Sequence, residues 1–320
     1  MLHSNFGIDV RYLCVDGEIA DSCSQQLIKK SANQLVDAFR QFDVPTDSRL
    51  LLHFSGYGYA RWGLCFWLTS GLQRLIREYP KLRLVTMFHE LWATGPMTSV
   101  AGWTTWPQQK IALRLIQLSS AIRLSRQADR DRVLLVAPTD QRPTEVKPIF
   151  SNFGETIELP NLQAKREQIL LFQPPEFANT KSAPFWDAWK QLRQRFPHVV
   201  TVVAGRVQSL PNDDSIVVHG FISTEMASQL FRESRYGLID YYPGYLAKSS
   251  IFAALAAHGV TCFLPRENPS EADGIERGRH YLLPHDDFVG SGSGQELWNW
   301  YQGHNATASA DGYRRLLFDE

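Results

Sequence analysis

The amino-acid sequence predicts an α/β protein built from two parallel-sheet domains. Three observations carry that prediction. The chain has 320 residues, which suits two domains of ordinary size. Short apolar or β-branched runs alternate with amphipathic helical stretches, a pattern that implies right-handed βαβ units. The alternation comes in two series, separated by the polar, irregular stretch Glu155 to Gln168. Two series imply two Rossmann-like domains, with expected bounds 1–156 and 165–304.

The first series opens with a short strand over Ile8 to Val15. A helix over Gln25 to Phe42 follows, with Ile28, Leu35, Phe39 and Phe42 on one stripe, and Pro45 stops it. Leu50 to Phe54 is a compact strand that runs into the loop Ser55-Gly56-Tyr57-Gly58-Tyr59. Leu64, Leu68, Leu72, Leu75, Ile76 and Tyr79 recur at helical spacing until Pro80. Leu84 to Phe88 is a strand ending in His89-Glu90-Leu91, and a loop rich in Trp, Thr and Gly leads to Pro107. Proline is favoured at a first helical position, so a helix is expected from Pro107 to about Ile122. Strands near Ala121 to Ser125 and Val146 to Ser151 complete the series.

The second series starts with a strand over Ile169 to Phe172 and a helix carrying Phe185, Trp189, Leu192 and Phe196. Val199 to Ala204 is a β-branched strand ending at Gly205, and Ser215 to Val218 a strand ending at Gly220. Thr224 to Arg232 reads as a helix, Tyr236 to Asp240 as a strand, and Ala247 to His258 as a small-residue helix closed by Gly259. Val260 to Leu264 and Tyr281 to Pro284 are later strands, with helical stretches near Glu296 to Tyr301 and Ser309 to Phe318.

Composition excludes several classes of function. Lys+Arg and Asp+Glu each total 33, so the formal net charge is +0; a dedicated nucleic-acid binder carries a basic excess. An apolar fraction of 44% fills a core and excludes global disorder. Cys14, Cys23, Cys65 and Cys262 are scattered without a CxxC pair, so neither a zinc site nor a disulfide framework is indicated. A reducing cytoplasm is the expected location. Met1 to Arg11 lacks a signal-peptide pattern. No uncharged apolar run approaches the roughly 20 residues that span a bilayer.

In two-domain α/β proteins ligands sit beyond the carboxyl ends of the strands, so residues there carry most weight. Gly56 and Gly58 let backbone approach a ligand, and Tyr57 and Tyr59 offer rings for stacking on a sugar or base. His89 stands at a strand end where an imidazole can bond a substrate hydroxyl, with Glu90 to orient it. Asp240 to Ser250 bridges a strand end and a helix start, where free amides and the dipole favour an anion. Lys248 adds a cation there, and Ser249 and Ser250 add hydroxyls. Arg206 can reach a diphosphate, and Gly220-Phe221-Ile222 can line a base edge. The remaining histidines considered, among them His3 and His258, show no metal-ligand spacing, and the adjacent pairs Asp213-Asp214 and Asp286-Asp287 make poor catalytic dyads. The stretch from Trp92 through Trp103 and Trp106 is open to two readings, an interdomain aromatic cluster or a contact with a lipid-linked acceptor at a membrane.

Phe54 to Gly63, Met87-Phe88-His89-Glu90-Leu91, and Gly220-Phe221 through Asp240-Tyr241-Tyr242 to Lys248-Ser249-Ser250 and Ala256-Ala257-His258-Gly259 together resemble the group 1 glycosyltransferases of GT-B fold. Pro148 to Glu155 resembles the end of such an N-terminal domain. The match runs from about Leu50 to Val260, and order and spacing carry it. The resemblance implies two facing Rossmann-like domains, a cleft between them, and a final helix 305–320 packing back on the first domain. It implies a sugar transferred from a nucleotide-diphosphate donor to a saccharide or lipid-linked saccharide, with a retaining outcome and no cofactor or metal. His89 and Glu90 fall at the catalytic position. Gln173, Lys181, Arg206, Phe221, Ile222, Tyr242, Lys248, Ser249 and Ser250 fall on the donor side, and Gly56, Tyr57, Gly58 and Tyr59 on the acceptor side. Peripheral contact at the inner membrane face is compatible with such an acceptor.

The sequence departs from the family pattern in three places. Two glutamates with seven residues between them are common before the A-x-x-G ending, and Leu246 and Ala254 stand there. An Arg and a Lys are common after the first strand of the second domain, where this chain has Gln173-Pro174-Pro175, with Lys181 the nearby cation. A Gly-rich loop expected after a first strand is missing, as in a truncated or abbreviated start. A catalytically silent GT-B protein that binds a nucleotide sugar or a partner enzyme, and a hydrolysing or epimerising enzyme on the same scaffold, are the competing readings.

Overall fold

A computed structural model describes residues 6–15, 25–43, 45, 47–267, 271–287 and 292–318. His3, Cys23 and the last two residues of the expected helix 305–320 lie outside the described residues. The chain divides into two compact units, Met1–Lys147 with Ala310–Glu320, and Pro148–Ser309. The strands are β1 (Tyr12–Cys14), β2 (Gln25–Leu27), β3 (Arg49–Phe54), β4 (Arg83–Phe88), β5 (Ala121–Leu124), β6 (Thr144–Val146), β7 (Arg166–Phe172), β8 (Val200–Ala204), β9 (Ile216–Gly220), β10 (Ser234–Leu238) and β11 (Thr261–Phe263). The α-helices are α1 (Ala32–Gln41), α2 (Gly56–Tyr59), α3 (Phe66–Glu78), α4 (Val100–Leu118), α5 (Gln127–Val136), α6 (Ala183–Arg195), α7 (Thr224–Glu233), α8 (Ser250–Ala257), α9 (Gly292–Gln302) and α10 (Ala306–Phe318).

In the first unit β3, β4, β5 and β6 form a parallel sheet in chain order, crossed over by α3, α4 and α5. All but the first residue of β4 is buried, as an interior strand covered on both faces requires. Ser31 caps α1, its Oγ accepting from Gln34 N at 3.2 Å. A Cβ at Gly71 of α3 would meet the Leu35 side chain at 2.8 Å, so the glycine lets α1 pack close. His53, Met87, Arg123 and Glu145 are successive cross-strand partners and share one face of the sheet. The last helix lies on that face. The Arg123 guanidinium sits 4.2 Å from the Tyr313 ring, and Arg315 lies 3.7 Å from Glu145. Arg49 and Arg83, partners at the start of β3 and β4, donate to the terminal carbonyls of α10: Nε to Leu317 O at 2.8 Å and Nε to Leu316 O at 3.0 Å.

In the second unit the parallel order is β11-β10-β7-β8-β9. Side chains of β7 alternate between two cores. Ile169 and Leu171 pack with Phe185, Trp186, Trp189 and Leu192 of α6, and Leu170 and Phe172 with Phe231 of α7 and the apolar body of α8. Lys165 is buried, and its Nζ donates to the carbonyls of Phe231, Arg232 and Ser234 at 3.3, 2.8 and 3.1 Å, closing the end of α7. Burial, then the charge of Arg232, lowers its pKa to about 7. The strand order reverses between β7 and β10, and such switch points open a crevice at the carboxyl ends.

Several boundaries differ from those the sequence predicts. Residues 148–156 belong to the second unit: Ile149 N donates to Ala247 O at 3.0 Å, and Tyr301 OH accepts from Ser151 N at 2.7 Å and donates to Glu155. The expected helix over Gln25 to Phe42 is a short strand followed by α1. Ser55 to Tyr59 is a helical turn rather than a loop. Helix α4 starts seven residues before Pro107, capped by Ser99, and holds that proline inside. Helix α5 has no counterpart in the expected elements. Its starting turn holds Asp129 in a fork with Arg126, at 3.0 and 2.7 Å, with polar groups buried where hydropathy points to a surface. Strand β6 ends at Val146, where the expected strand began.

Candidate functional site

In the second unit three strand ends converge. Gln173 N donates to Ala204 O at 2.8 Å and Gly205 N to Gly220 O at 2.7 Å, so residues following β7, β8 and β9 stay in register past the sheet. Gln173 has φ 52° and Gly205 φ 88°. A Cβ at Gly205 would meet Gln173 Cγ at 2.5 Å; only glycine allows that approach. A non-glycine residue at positive φ is strained, and such strain concentrates at functional positions. Gln173, Pro174, Pro175, Glu176, Arg206, Gln208 and Phe221 line a pocket of about 490 Å³ there. Three donor-side residues expected from the sequence, Gln173, Arg206 and Phe221, therefore share one wall. Phe221 is 80% exposed. Ile222 turns away and packs on the core beneath α7 and α8. Glu176 and Gln208 were not expected. Nothing in their sequence context separates them from ordinary loop residues.

Lys181 lies in an exposed single turn, Thr180–Ser182, ahead of α6, and is not among the residues lining the pocket. After β10, Tyr242 is exposed, with its ring 5.8 Å from that of Tyr245. A short turn, Pro243–Lys248, leads to α8. Ser249 is the N-cap of α8: it is buried, and its Oγ accepts from Phe252 N at 3.1 Å. That hydroxyl serves the helix. Lys248 and Ser250 are half-buried beside it. The amides of Ser250 and Ile251 belong to a first turn that has no intrahelical acceptors.

In the first unit β3 and β4 bring two histidines together. His53 Nδ1 lies 3.1 Å from His89 Nε2, with the rings stacked at 5.3 Å. Burial, then His89, then Arg123 lower the His53 pKa to about 4. His53 remains exposed at its edge, so solvent screens part of this effect. Sequence pattern alone hides His53, since it occupies an ordinary alternate position in a strand. Glu90 is exposed and accepts from Ser55 Oγ at 3.2 Å. The two tyrosines of the following turn separate. Tyr57 is exposed. Tyr59 stacks on Phe54 and donates to His53 O at 2.8 Å, so it braces β3 and is not displayed for stacking on a ligand. Burial raises its pKa to about 12, with Cys65 and Cys14 contributing. Gly56 is required by close approach: a Cβ there would lie 3.2 Å from Gly63 Cα. Nothing lies within 4 Å of a Cβ built at Gly58.

Among the described residues no group of three or more His, Cys, Asp or Glu side chains is placed to hold a metal ion. Asp213 closes a turn on Ser215 N at 2.9 Å, and Asp286 accepts from Leu283 N at 2.8 Å and pairs with Arg277.

No protein-family model and no curated protein matches the chain. Solved structures do. The pneumococcal O-GlcNAc transferase GtfA, in complex with UDP and GlcNAc, is similar at a TM-score of 0.54 and 10% identity over 88% of this chain and 59% of that one. The α,α-trehalose 6-phosphate synthase of Burkholderia multivorans is similar at a TM-score of 0.55 and 10% identity, over 89% and 73%. S. aureus TarM, solved with fondaparinux, α-GlcNAc-glycerol and UDP, is similar at a TM-score of 0.54 and 12% identity, over 90% and 59%. The chain thus spans 59% of the length of two of these structures. Identity at this level speaks to fold, and with two units of helix-flanked parallel sheet the fold is α/β of the GT-B kind.

Proposed function

We propose that this chain transfers a sugar from a nucleoside-diphosphate donor to a saccharide or lipid-linked saccharide, without a metal and with retention. The observation that carries the reading is the pocket beyond β7, β8 and β9, where a cation, two amides, a carboxylate and an exposed aromatic ring meet. A nucleoside diphosphate needs that set. Arg206 and the Gln173 amide face the diphosphate, Phe221 stacks on the base, and Glu176 accepts from ribose hydroxyls. The first turn of α8, with Lys248 beside it, adds positive potential as the diphosphate departs and gains charge. His89 bonds a hydroxyl of the donor sugar, and His53 fixes its ring. The solved neighbours support the reading, since those named above include a transferase captured with UDP and TarM, also solved with UDP. A cytoplasmic location and a role in polysaccharide synthesis belong to the same proposal.

A second reading, a silent nucleotide-sugar binder, is favoured by Leu246 and Ala254. Both are buried in the core, so the positions at which the family keeps its glutamates offer no carboxylate. Calorimetry with nucleoside diphosphates and their sugars, with and without EDTA, tests the donor site. Binding of one diphosphate that persists in EDTA is expected. Binding of none removes both nucleotide-sugar readings and leaves a silent partner-binding protein. Binding without donor consumption, across a panel of saccharide acceptors, leaves the silent binder.

A further inference from the structure

Helix α4 displays apolar side chains to solvent along its outer side. Met97 just ahead of it is 69% exposed, Val100 59%, Trp103 72% and Trp106 64%. At 3.6 residues per turn Val100, Trp103, Trp106, Lys110 and Arg114 fall within about a third of the helix circumference. The opposite side, with Gly102, Gln108, Ile111, Ala112 and Leu115, is buried. Gln108, on the buried side, ties to α4 the turn that carries a third exposed tryptophan. Its Nε2 donates to Trp62 O at 2.7 Å, and its Oε1 accepts from Ala93 N at 2.6 Å. Trp62 is exposed and held at φ 58°, a backbone that a bulky residue rarely adopts. Isolated exposed apolar residues need no explanation, but a contiguous aromatic set on one helix side does.

Charge identifies what covers it. The chain as a whole is neutral. Yet no Asp or Glu occurs between Asp47 and Glu78, or between Glu90 and Asp129, the two segments that build this surface. Its charges are cations set against its rings: Lys110 Nζ lies 3.7 Å from the Trp106 ring centre, and the Arg61 guanidinium 4.5 Å from that of Trp62. Tryptophan favours the boundary between headgroups and acyl chains, and Lys and Arg are drawn to anionic headgroups. Among the described residues no helix is long and apolar enough to cross a membrane. We infer that the outer side of α4, with the Arg61–Trp62 turn, docks on the surface of an anionic lipid bilayer, Trp103 and Trp106 at the interface and Lys110 and Arg61 on headgroup phosphates. The inference stands apart from sugar transfer, since the surface needs no donor.

The test is flotation of the full chain with vesicles of phosphatidylcholine alone, and with vesicles in which about a third of the lipid is phosphatidylglycerol. The chain floats with the anionic vesicles, and its tryptophan emission shifts to the blue. The double variant Trp103→Ser/Trp106→Ser, whose changes lie on exposed positions, partitions on the order of tenfold less or worse, and Lys110→Glu weakens partition to the anionic vesicles by a similar factor. Far-ultraviolet circular dichroism checks that both variants fold. Absence of flotation, equal flotation with both vesicle types, or flotation unchanged in the double variant overturns the inference. So does a lipid-free dimer that the double variant turns into a monomer, because a second copy then covers the surface.

Discussion

The imidazole of His53 meets that of His89 with 3.1 Å between Nδ1 and Nε2 and 23° between the ring planes. One of these nitrogens donates and the other accepts, so the pair cannot hold a proton on both facing atoms. Packing, then His89, then Arg123 disfavour a proton on His53, and its pKa falls from 6.5 to about 4. At neutral pH His53 is an uncharged partner that fixes the orientation of the His89 ring. His53→Leu removes that hydrogen bond, worth about 1–1.5 kcal/mol, and should lower kcat about tenfold with donor affinity unchanged. His53→Gln, which retains donor and acceptor, should recover most of the loss. A KM change with constant kcat would place His53 in donor binding instead. His89→Ala should abolish transfer and leave calorimetric binding of the diphosphate intact.

The pocket residues separate by ligand part. Arg206→Gln should weaken a nucleoside diphosphate by about 1.5–3 kcal/mol and leave the parent nucleoside nearly unchanged, because its charge faces phosphate. Phe221→Ala should weaken both alike, by about 1–3 kcal/mol, since stacking involves only the base. Glu176→Gln should narrow the difference between a ribonucleotide and its 2′-deoxy analogue. Calorimetry with these three ligands reads each residue separately. An Arg206→Gln effect equal on nucleoside and diphosphate would remove the phosphate assignment.

Arg49 and Arg83 hold the end of α10 on the first unit, each by a guanidinium bond to a terminal carbonyl. Charged donors there also oppose the negative end of the helix dipole. Arg83 is the more buried of the two. Arg83→Met should cost about 1–2 kcal/mol and Arg49→Met less, because water replaces the bond more easily at the exposed position. Amide exchange should speed up in the last turn of α10 in both variants, while β4 stays protected. Unchanged exchange at Leu316 and Leu317 would show that the helix is held by its other contacts, Tyr313 with Arg123 and Arg315 with Glu145.

The sheets were legible because their information is local. Leu84 to Phe88, and Val199 to Ala204 apart from the exposed Val200, are runs whose burial on both faces leaves no polar alternation. The two-series organisation followed from them. What stayed hidden depends on long-range pairing. Pro107 reads as a helix start, yet α4 continues through it, because Ser99 supplies the cap and the exposed side of that turn carries tryptophans instead of polar residues. Helix α5 buries an Arg126–Asp129 pair, which hydropathy reads as surface. Within the site, Gly205, Arg206 and Phe221 stand beside strand ends and were visible. His53 and Glu176 gain meaning only from register with β4 and from the loop after β8. Tyr59 looked like a ligand ring, and its bond to His53 O shows a brace.

His258 makes acid stability a measurable property of the second unit. It follows α8 and is fully buried. Its Nδ1 lies 2.8 Å from Ala254 O and must donate, and its Nε2 lies 3.2 Å from Ser228 Oγ, a hydroxyl that serves either role. Burial keeps the ring neutral at neutral pH. Burial lowers its pKa to about 4, with Lys165 and Arg232 adding repulsion and the Ala254 bond opposing the shift. The unfolded chain protonates this histidine near 6.5, so as pH falls from there the unfolded state takes the proton first. The stability that His258 contributes is complete above about pH 6.5 and is lost progressively down to about pH 4, by up to about 3 kcal/mol. His258→Gln can still donate to Ala254 O and accept from Ser228 without titrating. Urea unfolding followed by Trp186 and Trp189 fluorescence should show a steeper decline between pH 6.5 and 4 for the parent chain than for this variant. Other histidines titrate in both proteins, so the difference between the two slopes belongs to His258, and parallel slopes would mean that its ring is solvated enough to protonate in place.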